Sequence, residues 1–352
     1  MELYVTNKSL ETIGIIDAFN SSIWTRRYFS AGDFELYLPA TTKNIILLQA
    51  GNYVYRLDDE TVMIIEKIRI STDYENGNYL TVSGRSLESI LKRRIVWKQT
   101  YFGGAFEDLI YKLINENAIN PTDSNRKISN LMLADKPGIT SLIGKQLTGT
   151  NLYDAIVDAC TAYEIGWKIT LNSDKKFVFS LYKGVDRSYN QSENPYVVFS
   201  PGFDNLINSN YESDVSNYAN VALVAGEGEG KDRKTTTVNK GSNIKDLDRF
   251  EIFVDAKDVS SNTEEPMTTT EYYSALGDRG SEKLGETVVT SAFEGELETT
   301  NTFTYKRDWN VGDVVQIENE YGMTATSRII EIIESEDTSG RSLIPTFGTW
   351  EV

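Results

Sequence analysis

The stretch that most constrains this chain runs from Val311 to Gly348 and reads as three consecutive strands. Val314, Val315 and Ile317 follow a Gly312-Asp313 corner, and the polar turn Asn319-Glu320-Tyr321-Gly322 closes a first hairpin. A second strand carries Ile329, Ile330, Ile332 and Ile333. The turn Asp337-Thr338-Ser339-Gly340 then leads into Leu343, Ile344 and Phe347. β-Branched residues suit a pleated, half-buried surface, and Asn, Asp, Ser and Gly supply the corners between strands.

The same layout recurs near the other end. Gly51-Asn52 stands where Gly312-Asp313 stands, and Met63-Ile64-Ile65-Glu66-Lys67-Ile68 resembles Ser327-Arg328-Ile329-Ile330-Glu331-Ile332. Leu80-Thr81-Val82-Ser83-Gly84 closes the first unit as Ile344-Pro345-Thr346-Phe347-Gly348 closes the second. Glycine to glycine, the copies span 33 and 36 positions. Aligned on Glu66 and Glu331, the second is four longer in its first hairpin and one shorter in its second. Such length changes belong in turns, where they cost little. The pattern predicts an internal duplication; the competing reading is two unrelated meanders that share Gly and Ile by chance.

At 352 residues the chain is long enough for two or more cores. Its 52 acidic and 35 basic residues give a net charge of −17, which repels a phosphate backbone. The longest basic run is Lys92-Arg93-Arg94. With no histidine, Ser-His-Asp and Cys-His catalysis and the commonest zinc ligand are absent from the repertoire. The single Cys160 excludes an intramolecular disulfide and, beside Ala155, Ala159 and Tyr163, reads as a small buried apolar residue. No cofactor or metal signature is present. The N-terminus has neither the basic start nor the apolar run of a secretory signal, and no stretch approaches the ~20 apolar residues of a membrane span.

Taken in order, residues 1–100 read as a first β-barrel-like domain. Leu3–Val5, Ile13–Ile16, Trp24–Phe29 and Phe34–Leu38 form strands, a short helix falls around Asn44–Leu48, and Arg85–Arg94 has helical spacing. Residues 101–200 read as an inserted α+β domain. One helix buries Phe106, Leu109, Ile110, Leu113 and Ile114; a second starts at Thr150 or Asn151 and stops near Gly166; a hairpin follows over Trp167–Leu171 and Phe177–Tyr182. Residues 201–240 and 300–352 are predicted to build a second barrel, with strands at Val221–Ala225, Lys234–Val238 and Thr302–Tyr305. Between them, 241–299 read as an inserted strand and helix, the helix capped by Thr268, Thr269 or Thr270 with Tyr273, Leu276, Gly280 and Leu284 on one face. The run Gly226-Glu227-Gly228-Glu229-Gly230-Lys231 is a hairpin tip rather than a phosphate cradle, because its glutamates repel phosphate and no helix pattern follows.

Four segments carry a resemblance. They are Trp24–Pro39, with Trp24, Arg26-Arg27-Tyr28 and Gly32-Asp33-Phe34 leading to Pro39; Leu80–Leu91, followed by Arg93-Arg94-Ile95; Asp248-Arg249-Phe250-Glu251 with Asp255; and Val311–Val315 through Phe347-Gly348. In this order the chain resembles the baseplate or tail hub proteins of long-tailed bacteriophages, including the N-terminal hub region of tail-associated lysins. The resemblance implies an α+β, mainly β fold with two tail-tube-like β-barrel domains and small α+β insertions. It implies a homotrimer that presents six tube-like domains, joins the tail tube or a distal tail ring to the tip, spike or fibre proteins, and passes DNA without binding it specifically. Gly51, Ile64, Ile65, Glu66, Gly84, Gly312, Asp313, Val315, Ile329, Glu331 and Gly348 then serve as barrel signatures rather than as a site. The acidic charge acquires a role as a channel lining that keeps DNA from sticking. Some relatives continue into a peptidase or glycan-cleaving domain, whereas this sequence ends four residues after Gly348, so no such domain is expected.

Two other readings compete. A cell-wall glycosidase needs only a carboxylate pair, and Glu264-Glu265 or Asp58-Asp59 offer one, although solvated turns account for both. A glycan-binding protein would use exposed tyrosines such as Tyr74 and Tyr272-Tyr273, which would serve a subunit interface equally well.

Overall fold

The fold is described from a computed structural model for residues 2–75, 77–262, 266–287, 290–297, 302–322 and 324–348; over 207–213 and 290–297 the backbone alone is described. It is mostly β. The first strands are β1 (Leu3–Thr6), β2 (Thr12–Ile16), β3 (Ser21–Arg27) and β4 (Asp33–Pro39). Helix α1 (Thr42–Leu47), capped by the Thr41 hydroxyl, leads into β5 (Tyr53–Tyr55), β6 (Val62–Asp73) and β7 (Gly77–Ser86). Alternation buries Phe34, Leu36 and Leu38 on β4 and Leu80 and Val82 on β7, and these pack with Trp24, Val54 and Met63 into one core. The helical spacing seen over Arg85–Arg94 resolves into the end of β7 and a 3-10 helix at Leu87–Arg93.

The first insertion contains β8 (Thr100–Ala105), α2 (Phe106–Ile114), β9 (Leu131–Leu133), β10 (Leu142–Leu147), α3 (Leu152–Ala162), β11 (Gly166–Leu171) and β12 (Phe177–Tyr182). Helix α2 buries the five apolar residues that its spacing marked, and the Asn151 side chain caps α3 by accepting the Tyr153 amide. Gly166 opens β11 rather than ending α3; Glu164, in the left-handed region, makes that turn. Cys160 is buried, and burial pushes its thiol pKa up.

Next come β13 (Val198–Phe199) and β14 (Leu206–Asp214), then a second insertion of β15 (Val221–Ala225), β16 (Thr235–Asn239), β17 (Glu251–Asp255) and α4 (Thr269–Glu286). A capping box between Thr268 and Glu271 starts α4, which lays Tyr272, Ala275, Leu276, Gly280 and Leu284 on the three-stranded sheet. Tyr272, not Tyr273, is the inward tyrosine. The chain returns through β18 (Thr290–Leu297), β19 (Val314–Glu318), β20 (Thr324–Asp337) and β21 (Gly340–Phe347). Thr302–Tyr305, expected as a strand, makes a single bridge among the described residues, from Tyr305 to Trp309. The segment 201–240 is divided: β14 joins the large sheet, while β15 and β16 leave it for the insertion.

The two expected barrels take a different form. Most strands belong to one 13-stranded sheet, and no sheet closes into a barrel among the described residues. Within that sheet the chain repeats itself. The first half reads β3-β4-β7-β6-β5-β1, and the second reads β14-β18-β21-β20-β19-β13 in the same sense. At the corner the Gly51 amide donates to the Ile65 carbonyl at 2.8 Å, and the Ile65 amide to the Asn52 carbonyl at 2.9 Å. Gly312, Ile329 and Asp313 repeat both bonds, at 2.7 and 2.9 Å. The two corner glycines have φ of +87° and +95°, a conformation that a side chain disfavours.

These bonds keep the match of Ile65 to Ile329, Glu66 to Ile330 and Lys67 to Glu331, and displace the Glu66–Glu331 anchor and the Gly84–Gly348 match by one residue each, so that Gly84 corresponds to Phe347. The register of β6 against β7 skips Glu66, and that of β20 against β21 skips Ile330. A bulge reverses which side chains face inward, so the shared Ile-Ile-Glu string aligned residues of opposite orientation.

Candidate functional site

The two halves meet where β3 pairs antiparallel with the outer part of β20, from Arg27 opposite Glu331 to Ser21 opposite Asp337. Strand β20 serves both sides of this seam: residues 324–328 pair with β19, and residues 331–337 pair with β3 along the same edge.

Arginines from the first half converge on carboxylates of the second. Arg27 binds Glu331 and, at 2.6 Å, Asp33. Arg26 reaches Glu334 at 2.7 Å and also pairs with Asp59. Arg56, almost fully buried, donates to Glu334 at 2.7 Å and to Asp58 at 2.6 Å, and Arg341 adds a third cation to Glu334. Lys306 donates to Asp59 at 2.8 Å. Burial alone would raise the Glu334 pKa, but the charges of Arg26 and Arg56 and hydrogen bonds from Arg56 and Arg341 prevail and hold it at about 2. The network sets each of these charges against an opposite one, although the buried Arg26 Nε has no hydrogen-bond partner, and it fixes one docking geometry.

Tyr28 ties the seam to the first insertion. Its amide donates to the Ile330 carbonyl at 2.9 Å, and its hydroxyl lies 3.3 Å from the Glu164 and Tyr182 carbonyls while accepting the Gly184 amide at 3.2 Å. Its ring is fully buried against the second-half core of Phe199, Trp309, Ile329 and Phe347. Trp24 and Phe34 pack in the first-half core at 5.9 Å, and Gly32 lies so close to Thr25 that no side chain fits. Asp313, 3% exposed, accepts the Val185 amide at 2.8 Å and pairs with Arg187. Glu66 forms a bidentate pair with Arg85. Val315 and Ile329 are core residues, and the Gly348 amide closes on Arg328.

The sequence motifs therefore divide. Trp24, Arg26, Arg27, Tyr28, Asp33 and Glu331 come together at the seam, whereas Asp248, Arg249 and Glu251 lie on the second insertion, where Arg249 pairs with Glu251. Asp59 is not a solvated turn residue: its side chain is 1% exposed and doubly ion-paired. The Glu264-Glu265 pair lies outside the described residues. Arg56, Glu334 and Lys306 carried no sequence signal, because Glu334 is inward only once the bulge at Ile330 is known. A cavity of about 360 Å³ beside the seam is lined by Arg27, Lys168 and Asp313 among others. Those charges are already paired, Lys168 with Glu60 and Asp313 with Arg187. No group of three or more His, Cys, Asp or Glu side chains could hold a metal ion among the described residues.

Residues 2–349 match the Siphovirus ReqiPepy6 Gp37-like protein family. The chain belongs to that family. It is a phage tail protein of the baseplate-hub type, and thus a virion component. Solved tail proteins share the fold. The prophage tail protein gp18 of Listeria monocytogenes EGD-e aligns at TM-score 0.60 and 12% identity, over 99% of this chain and 94% of that one. The tail protein of Neisseria meningitidis MC58 gives 0.59 and 13%, over 99% and 96%. The 43 kDa tail protein of prophage MuSo2 from Shewanella oneidensis gives 0.59 and 13%, over 99% and 98%. No curated protein matches the sequence. No helix among this tail protein's described residues is long and apolar enough to cross a membrane.

Proposed function

We propose that this tail protein is the subunit of a homotrimeric ring with pseudo-six-fold symmetry that joins the tail tube, or a distal tail ring, to the tip and its spike or fibre proteins. The carrying observation is the repeated strand order of the two halves, with the same glycine corner and bulge in each. Three chains with two such halves supply six similar wall segments, which matches a six-fold tube to a three-fold tip. Each half is a tube-like unit whose open sheet becomes part of a closed wall on assembly. The net charge of −17 suits a channel through which DNA passes without sticking. The role is assembly and conduction rather than chemistry.

Mass measurement of the purified chain, followed by imaging of the particles, tests the reading. A trimer, or a ring with a central opening wide enough for duplex DNA, is the expected result. A chain that stays monomeric at high concentration and cleaves or binds cell-wall glycan would reject it.

A further inference from the structure

The repeated halves leave two strand edges open that are the counterparts of the two edges joined at the seam. Strand β20 receives β3 along residues 331–337; its counterpart β6 pairs with β7 throughout and with β5 only at residues 62–64, so residues 67–73 have no strand on their outer side among the described residues. Among the described residues strand β14, the counterpart of β3, pairs only with β18. Exposure follows the difference: Glu334 is 4% exposed, whereas Ile70, at the corresponding position of β6, is 52% exposed. An apolar residue on an unpaired outer strand is what a covering partner would bury.

We propose that β14 of one copy adds antiparallel to residues 67–73 of β6 in a second copy, repeating between chains the junction that β3 and β20 make within one. The occupant is a second copy of this chain, and the proposal rests on the ring reading above.

The internal junction fixes the register. Trp24 pairs with Phe34, which pairs with Gly84; Tyr211 pairs with Phe293, which pairs with Phe347. Because Gly84 corresponds to Phe347, Tyr211 corresponds to Trp24, as Ile65 does to Ile329. Transferring the β3–β20 register then sets Asp214 opposite Lys67, Glu212 opposite Arg69, Tyr211 opposite Ile70 and Asn210 opposite Ser71. This register follows from strand pairing alone, and it sets both acidic residues of β14, Glu212 and Asp214, opposite basic ones.

The internal seam has the reverse polarity, with Arg27 on β3 opposite Glu331 on β20. The signs therefore sort the edges. Strand β14 laid on β20 would put Asp214 against Glu331, and β3 laid on β6 would put Arg27 against Lys67. Both mispairings set like charges face to face, so each edge admits one partner. An interface between two different surfaces of the same chain propagates head to tail, and it closes as a ring when its rotation divides a full turn, as the ring reading requires.

Two experiments on the full chain test this. In Lys67→Glu/Arg69→Glu, association should weaken by about a hundredfold or more, read as loss of the oligomer by mass, while the far-UV circular dichroism of the folded chain stays unchanged. Adding Glu212→Lys and Asp214→Lys should restore the oligomer. In Ser71→Cys/Asn210→Cys, oxidation should link separate copies covalently, since opposed residues on paired strands meet disulfide geometry and Cys160 is buried. An oligomer that keeps its mass after charge reversal and forms no such link overturns the edge pairing and leaves the ring reading standing. A parent chain that stays monomeric at high concentration, gives no link and cleaves or binds cell-wall glycan removes both.

Discussion

Glu334 and Arg56 lie 278 positions apart in the chain and 2.7 Å apart in the fold, each almost completely withdrawn from water. One belongs to the second half and the other to the first, so this contact reports whether the halves are docked. Removing one member of a buried ion pair strands the others. Glu334→Gln is expected to destabilise the protein by about 3–5 kcal/mol, because Arg26, Arg56 and Arg341 then share a neutral partner. Urea denaturation measures it, and a loss below about 1 kcal/mol would place the pair in the class of surface salt bridges instead.

Acid should act at the same carboxylate. Its folded pKa of about 2 lies below the ordinary 4.5, so between those values the unfolded chain binds the proton more readily. The stability that Glu334 contributes is complete above about pH 4.5 and is lost as pH falls toward about 2. Denaturant midpoints taken across that window should slope downward with acid in the wild type, and less steeply in Glu334→Gln.

Asp278 on α4 has the opposite sense. Burial pushes it up to about 6, against the hydrogen bond from the Gly144 amide and the charge of Lys145, with Glu282 adding to the rise. The folded state therefore holds the proton better between about 3.8 and about 6, and stability from this group declines as pH rises through that range. Asp278→Asn keeps an acceptor for Gly144 without the charge. It is expected to raise stability above pH 7 by on the order of 1–3 kcal/mol and to flatten the profile from pH 4 to 6; a destabilised variant would contradict this.

Gly84 faces the bulge of β6 so closely that an added Cβ would stand 1.8 Å from the Ile64 carbonyl oxygen. Backbone cannot yield to that contact locally, so Gly84→Ala should cost several kcal/mol, on the order of the largest single-residue effects. A thermal melt checks it, with Gly285→Ala on α4, where nothing lies within 4 Å, as the tolerated control.

Much of this fold could be read from residue order. The meanders after Gly51 and Gly312, helix α2, the Asn151 cap and the Thr268 cap all follow from local spacing and turn chemistry. What local spacing could not show was where strands go next. Nothing in Ser21–Arg27 states that its partner lies some 300 positions later, and 201–240 looks uniform although β14 and β15 enter different sheets. The bulges hid the true alignment of the halves by one residue, and with it the inward position of Glu334. Arg26 and Arg27 were visible as members of the Trp24–Pro39 segment that carries the family resemblance, but their partners were not, because an ion pair across a seam is a property of the docked halves and leaves no periodicity in either.

A strand that serves both halves also has a mechanical meaning. The bonds from Glu331–Arg27 to Asp337–Ser21 lie side by side along β20. A load directed along that strand is resisted by the whole row at once, whereas a load that lifts one end opens it rung by rung. The chain thus holds firmly against sliding of one half past the other and yields to peeling, so the direction of a force on the tail, as much as its size, decides whether the halves part.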